Sequence, residues 1–342
     1  MSHVLIARLD SDGDVLLTGP AVRAIAAGAD RVTFLCSPRA VPAAEMLPGV
    51  DEVVPFEAAW IVPDPPPFDH GEVLGLVGRL AAIGIDRAVV FTSFHQSPLP
   101  LALLLRMARI PHVAAISDDY PGSLLDVRHR VPDDIHEVER ALSLARAAGF
   151  EPPAGDDGRL RVRRDHSARP CGLARGSYVV VHPGSSVPAR AWTPERNREL
   201  VAALASRGVR VVVTGGAGER PLCEAVAGAE PGVVNLAGLT TLAGMAEVLA
   251  GADALVVGNT GPAHLASAVC TPVVSLFAPT VPSARWRPWK VPHVLLGHQD
   301  IGCAGCRARV CPLPTQACLS TVAVADVVGA LDRLLGAPEA AA

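Results

Sequence analysis

The stretch Ala254-Leu-Val-Val-Gly-Asn-Thr-Gly-Pro-Ala-His-Leu-Ala-Ser-Ala-Val269 decides the fold. Its apolar run, residues 255–257, predicts a buried strand. Gly258, Asn259, Thr260 and Gly261 break that run. Pro262 then stands at a first helical position, where its missing N–H costs nothing. Residues 263–269 read as the opening turns of a helix. A strand, a small-residue turn and an abrupt helix start bring free backbone N–H groups and a helix dipole to one point, which suits a phosphate. The Thr260 hydroxyl and the His264 imidazole, one turn in, stand beside it. An ordinary βα turn in a parallel sheet is the plain alternative.

Outward from this stretch, the same alternation recurs in both directions. Strands are expected at 178–182, 209–214, 233–236 and 273–277, with helices at 194–206, 219–227, 242–250 and 261–269. Nearer the N-terminus, a strand, a polar turn and a helix occupy residues 4–25. Strands follow at 31–36, 52–55, 88–91 and 112–116, and helices at 71–83, 98–107 and 136–149. Alternation on this scale predicts α/β architecture with doubly wound parallel sheets. Residues 151–176 are rich in Pro, Gly, Asp and Arg with little periodicity, and read as an interdomain linker. The expectation is two Rossmann-like domains, residues 1–165 and 176–342, facing a cleft.

Composition narrows the function classes. At 342 residues the chain has room for two well-packed domains, and 50% apolar with 19% charged residues fits a globular protein. The net charge of −4 gives no support for a nucleic-acid partner. Lys290 is the only lysine, so cationic roles fall to arginine. No transmembrane segment is expected, because the most apolar run, residues 98–105, is far too short to span a bilayer. No secretory leader is visible either, since residues 4–9 run directly into Asp10 and Asp12, and a cytoplasmic location follows. Of the eight cysteines, Cys303-x-x-Cys306, Cys311 and Cys318 cluster near the C-terminus. A tetrad of this kind can hold structural zinc, with disulfides or packed free thiols as the alternatives.

Candidate site residues gather where strands end, at the edge where open parallel sheets bind ligands. The first turn, Asp10-Ser-Asp-Gly-Asp14, holds three carboxylates, more than a turn needs, and one of them can serve as a helix cap. Thr92-Ser-Phe-His-Gln-Ser97 and Ser117-Asp-Asp-Tyr-Pro-Gly-Ser123 supply hydroxyls, His95, Gln96, Asp118 and Tyr120. These suit a hydroxyl-rich, sugar-like acceptor, or are solvated loops. In His182-Pro-Gly-Ser-Ser-Val-Pro-Ala-Arg190, Ser185 and Ser186 offer donors, and Arg190 can grip phosphate oxygens bidentately or lie on the surface. Thr214-Gly-Gly-Ala-Gly-Glu-Arg220 lacks the G-x-G-x-x-G spacing of a dinucleotide fold, which disfavours a nicotinamide oxidoreductase. Glu219 there can accept from ribose hydroxyls, or be a first-turn glutamate favoured by the helix dipole.

Together these residues resemble glycosyltransferase family 9, the heptosyltransferase family with a GT-B fold. The resemblance rests on the Gly13-Asp14-Val15 turn, on residues 182–192, and on Gly258-Asn-Thr-Gly-Pro-Ala-His264. The last is followed by Thr271-Pro-Val-Val-Ser-Leu-Phe277 and Trp286-x-Pro288. It implies an inverting transfer of a heptose or related sugar from a nucleotide diphosphate sugar, with ADP-heptose favoured, and no metal or other cofactor needed for catalysis. The acceptor would be a hydroxyl on a glycan, a glycolipid or a small molecule. The resemblance also implies Asp14 as catalytic base, Ser185, Ser186 and Arg190 as donor-phosphate contacts and Glu219 as ribose contact. Asn259, Thr260, Gly261 and His264 fall in the donor signature. Arg190 keeps the charge of the lysine usual there, while Asn259 replaces an aspartate and removes a carboxylate near the donor sugar. Rival readings are a nucleotide-sugar epimerase of the same fold and a non-catalytic nucleotide-sugar-binding protein.

Overall fold

Twelve strands of the computed structural model, which describes residues 2–62, 64–170, 173 and 177–336, form two six-stranded sheets. The first sheet contains β1 (His3–Arg8), β2 (Arg31–Cys36), β3 (Glu52–Pro55), β4 (Arg87–Val90), β5 (His112–Ile116) and β6 (Val127–His129). The second contains β7 (Tyr178–His182), β8 (Arg210–Val213), β9 (Val233–Asn235), β10 (Ala254–Gly258), β11 (Val273–Leu276) and β12 (His293–Leu296). Helices α1 (Asp12–Leu17), α2 (Gly19–Ala27), α3 (Val41–Glu45), α4 (His70–Ile83), α5 (Leu99–Met107) and α6 (Glu137–Ala147) belong to the first half. Helices α7 (Pro194–Ser206), α8 (Arg220–Ala227), α9 (Leu242–Ala250), α10 (Gly261–Ala268), α11 (Ser283–Trp286), α12 (Ala317–Ser320) and α13 (Val324–Leu335) belong to the second.

Every strand pair in both sheets is parallel. The orders are β3-β2-β1-β4-β5-β6 and β9-β8-β7-β10-β11-β12, the same winding twice. In each, the direction of winding reverses once, between β1 and β4 and between β7 and β10. That reversal leaves a crevice beyond the carboxyl ends of the two central strands, because their outgoing connections run to opposite faces of the sheet. The central strands β1 and β10 are buried along their whole length, as expected where helices cover both faces. Leu5, Val90, Leu105 and Val113 anchor one apolar core, and Val181, Leu200, Val256 and Leu331 anchor another.

The chain falls into two compact units, Met1–Arg163 and Arg164–Ala342. Residues 151–163, read above as the start of a linker, are fastened to the first unit. Asp156 makes a double hydrogen bond to Arg23 of α2 (2.6 and 2.8 Å), and Arg163 Nη2 donates to the carbonyls of Leu47 and Val50. The next residues belong to the second unit, where Arg164 grips Glu247 of α9 through two bonds of 2.8 and 2.7 Å. Residues 171, 172 and 174–176 of that stretch, among them the expected start of the second domain, lie outside the described residues. Among the described residues, no helix is long and apolar enough to cross a membrane.

The first turn departs from expectation in a way that matters for the site. Helix α1 begins at Asp12, and its N-cap is Ser11, whose Oγ accepts from the Asp14 N–H. None of the three carboxylates of this turn is the helix cap.

Candidate functional site

In the first unit, the carboxyl ends of β1 and β4 converge on one buried guanidinium. Arg8, at the end of β1, is 3% exposed. Its Nη2 lies 3.2 Å from Asp10 Oδ2 and 3.2 Å from Asp14 Oδ1, and Nη1 lies 3.8 Å from Glu137 Oε2 at the start of α6. Nη2 also donates to Ser93 Oγ (2.8 Å), and that hydroxyl donates onward to Asp10 Oδ2 (2.7 Å). Burial alone would lower the Arg8 pKa, but Asp10, Asp14 and Glu137 outweigh it and hold the guanidinium charged. Burial pushes the Asp10 carboxyl up, with Arg8, Ser93 and Gln96 opposing and Asp14 adding to the rise. A buried cation facing three carboxylates costs desolvation and is no economical way to stabilise a fold, which makes the cluster a candidate functional site.

Within this cluster Asp14 and Asp10 differ in access. The Asp10 side chain is 8% exposed and Asp14 19%. Asp14 Oδ2 accepts from Ser11 Oγ (2.8 Å), and Oδ1 faces Arg8, so the carboxylate is oriented from both sides while staying in reach of solvent. It sits in the first turn of α1, where the helix dipole favours negative charge. Gln96 joins the cluster, its Oε1 accepting from the Ser93 N–H (3.1 Å). His95 is exposed, its ring edge-on to Phe94. Asp118 and Tyr120 are exposed on the loop after β5, away from the cluster, where Arg128 donates to the Asp118 carbonyl. Arg8 and Glu137 are absent from the sequence reading. A lone arginine closing an otherwise apolar strand was the available signal for the first; nothing local pointed to the second.

The second unit repeats the geometry with different chemistry. The loop after β7 carries Gly184, Ser185 and Ser186, and a short 3₁₀ turn ends at Arg190. Ser185 Oγ accepts from the Val187 N–H, which leaves its own O–H to donate. Arg190 Nε donates to Thr280 Oγ1 (3.1 Å), beyond the end of β11. A Cβ on Gly258 would stand 2.7 Å from the Arg190 carbonyl oxygen, so only glycine lets this turn lie against the end of β10. A Cβ on Gly184 would collide with the Glu219 carboxylate, which folds over the β7 loop. Glu219 Oε2 accepts from the Gly216 N–H (2.7 Å), the local capping role, and lies 4.0 Å from His182 Nε2. Burial holds the His182 pKa down, with Glu219 opposing, so the imidazole is neutral at pH 7.

At the start of α10 two buried polar atoms lack a hydrogen-bond partner among the described residues: Asn259 Nδ2 and Thr260 Oγ1. Thr260 is the N-cap residue, in extended conformation, yet its hydroxyl makes no capping bond. Each such orphan costs about 1–3 kcal/mol unless a ligand satisfies it. Two beside a helix N-terminus, at the switch point of the sheet, make an anion cradle. His264, 4% exposed, lies one turn along the helix.

The cysteine tetrad does not assemble. Cys318 is packed into the apolar core at α12, Cys306 is exposed, and all four thiols are free. Among the described residues no group of three or more His, Cys, Asp or Glu side chains could hold a metal ion, so the zinc expectation has no support there. Burial pushes the Cys318 pKa up, and the neighbouring Cys311, Cys303 and Cys306 add to the rise.

Residues 86–316, more than half of the chain, match the model of glycosyltransferase family 9 (heptosyltransferase). The chain belongs to glycosyltransferase family 9. It is 29% identical to lipopolysaccharide heptosyltransferase 3 of Escherichia coli over 200 residues, 56% of each chain. It thus spans about half the length of the curated relatives it matches. The structure resembles that of a family 9 glycosyl transferase from Veillonella parvula DSM 2008 (TM-score 0.78, 17% identity, covering 98% of this chain and 97% of that one). It also resembles E. coli heptosyltransferase WaaC with ADP (TM-score 0.71, 22% identity, covering 97% and 99%). The two Rossmann-like domains of this family 9 member are those of the GT-B fold. The family match begins at residue 86, so the Asp14 cluster stands on its own geometry.

Proposed function

We propose that this family 9 protein is an inverting glycosyltransferase that moves a heptose from ADP-heptose to an acceptor hydroxyl without a metal ion. The second unit would bind the donor and the first the acceptor. The observation that carries the reading is the pair of unsatisfied buried groups, Asn259 Nδ2 and Thr260 Oγ1, at the N-terminus of α10 in a family 9 chain. The E. coli WaaC structure with ADP supports a nucleotide diphosphate as the occupant.

In this reading the acceptor oxygen attacks the anomeric carbon from the face opposite the diphosphate. Asp14 takes the hydroxyl proton as the new C–O bond forms. The bond from the anomeric carbon to the phosphate oxygen breaks, its electron pair leaves with ADP, and the configuration inverts. The transition state resembles an oxocarbenium ion. Arg190, the Ser185 and Ser186 hydroxyls and the N–H groups opening α10 meet the charge that develops on the departing diphosphate. Glu219 would contact the ribose, and Arg8 and Ser11 hold Asp14 oriented.

Calorimetry with ADP tests the donor site. Arg190→Ala should weaken ADP binding by on the order of 2 kcal/mol, roughly thirtyfold in Kd, as expected for losing a charge-assisted pair. Unchanged affinity would remove Arg190 from the donor site.

A further inference from the structure

A cavity of about 540 Å³ opens in the first unit between the chain leaving β3 and the start of α4. Three aromatic rings line it, Phe56, Trp60 and Phe68, together with three carboxylates, Glu57, Asp69 and Glu72. Among the described residues Arg79 is the only cationic side chain in its wall, and its Nη2 points to the Pro55 carbonyl (3.4 Å). The wall therefore carries an excess of two negative charges. Phe68 is 65% exposed, far more than a phenylalanine placed only for packing, and Trp60 is half-buried, tilted on Phe56 at 5.8 Å. Asp69 caps α4 by accepting from the Gly71 and Glu72 N–H groups, which fixes the carboxylate rim on a rigid element.

Trp60 also lines a second, smaller pocket whose other walls include Asp10, Thr92 and Gln96. A molecule presenting a hydroxyl at the cluster would have its next portion beside Trp60.

We propose that the Phe56–Trp60–Phe68 cavity binds a non-anionic sugar ring of the acceptor and rejects acceptors that carry phosphate or carboxylate there. The proposal rests on the glycosyl-transfer reading above. A sugar ring has an apolar C–H face and a rim of hydroxyls; aromatic walls match the first and carboxylate acceptors the second. A phosphate or carboxylate would enter a wall where three carboxylates outweigh the one arginine, and like charges left in excess are how sites exclude wrong partners.

Saturation-transfer NMR on the full chain tests this. The probes are the methyl glycosides of glucose, mannose, galactose and N-acetylglucosamine, set against glucose 6-phosphate, mannose 6-phosphate and glucuronate. At least one neutral glycoside should receive saturation on its ring protons, and the anionic sugars should not. Phe68→Ala, a surface change, should abolish most of that signal. The double variant Glu57→Arg, Glu72→Arg should admit the sugar phosphates. Equal saturation of neutral and anionic sugars, an unchanged signal in Phe68→Ala, or no signal from any neutral glycoside would overturn the proposal. ADP calorimetry on the unaltered protein separates the two readings. If ADP binds and the sugars fail, only this cavity is misassigned; if ADP does not bind, the glycosyl-transfer reading itself falls.

Discussion

A single guanidinium sets the behaviour of three carboxylates, and their differing access assigns their work. Asp10 is locked by Arg8 and by the Ser93 hydroxyl, whereas Asp14 keeps more than twice the side-chain exposure and can meet an incoming hydroxyl. Asp14→Asn preserves size and the bond from Ser11, so fold and ADP affinity should survive. Turnover of ADP-heptose should fall by roughly 100-fold or more, the usual scale for loss of a general base. Asp10→Asn should cost less in turnover and more in thermal stability, because it alters a buried ion pair. Steady-state rates and melting temperatures of the two variants decide the matter. A near wild-type rate in Asp14→Asn beside a dead Asp10→Asn would move the base to Asp10. This pairing was invisible in the sequence because Arg8 and Glu137 are 129 positions apart (137 − 8) and meet only through the parallel sheet. The turn at the start of α10 was legible for the opposite reason: Gly258 to His264 holds its turn, its helix start and its polar groups in one short run.

Most strands wrote themselves plainly into the sequence, the edge strands β3 and β9 among them, and two edge strands did not. Strands β2, β3, β5 and β7 lie where the apolar runs placed them. The edge strands β6 (Val127-Arg-His129) and β12 (His293-Val-Leu-Leu296) are only half-buried, short and partly polar, so no strand pattern announced them. Helix α13 did carry a helical stripe, Val324, Val327, Leu331 and Leu334, which the sequence reading passed over. The segment 151–163 lacks periodicity because ion pairs and hydrogen bonds hold it, with Leu160 its one buried apolar side chain. Its anchor gives a stability prediction. The Arg23 hydrogen bonds hold the Asp156 carboxyl down to about 2, from an ordinary 3.8. A pKa lowered in the folded state stabilises above the unfolded value and loses that contribution as pH falls toward the folded one. The shift is worth about 2 kcal/mol at neutral pH. Asp156→Asn should therefore melt below the unaltered protein at pH 7, and the two melting curves should draw together as pH falls from about 4 toward 2. A gap that stays constant over that range would mean that the contribution of Asp156 is not its charge.

Each half of the molecule has its own sheet, its own core and its own switch-point crevice, so a ligand for one half should leave a signature confined to it. ADP is the sharpest probe. It carries the diphosphate proposed for the α10 cradle and lacks the sugar that the acceptor would attack. Binding to the folded form alone should raise stability by about 2.7 kcal/mol at a hundredfold excess over Kd. Hydrogen exchange on the full chain locates that stabilisation. Slower exchange is expected at the loops after β7 and β8 and across the first turn of α10, where the N–H groups of Gly261 and Ala263 lie beside the unsatisfied Asn259 and Thr260 side chains. The Asp14 turn and the loop after β4 should exchange at the unliganded rate. Because the two sheets share one winding, the opposite pattern is a real alternative: protection at the Asp14 turn with none at α10. That pattern would exchange the roles of the two units, making the first the donor side, and Arg8 would then be the cation that meets the diphosphate. The chemistry on each side argues for the expected pattern. The β1–β4 crevice presents three carboxylates to one cation, which repels a diphosphate, whereas the β7–β10 crevice presents Arg190, hydroxyls and a helix N-terminus, which receives one.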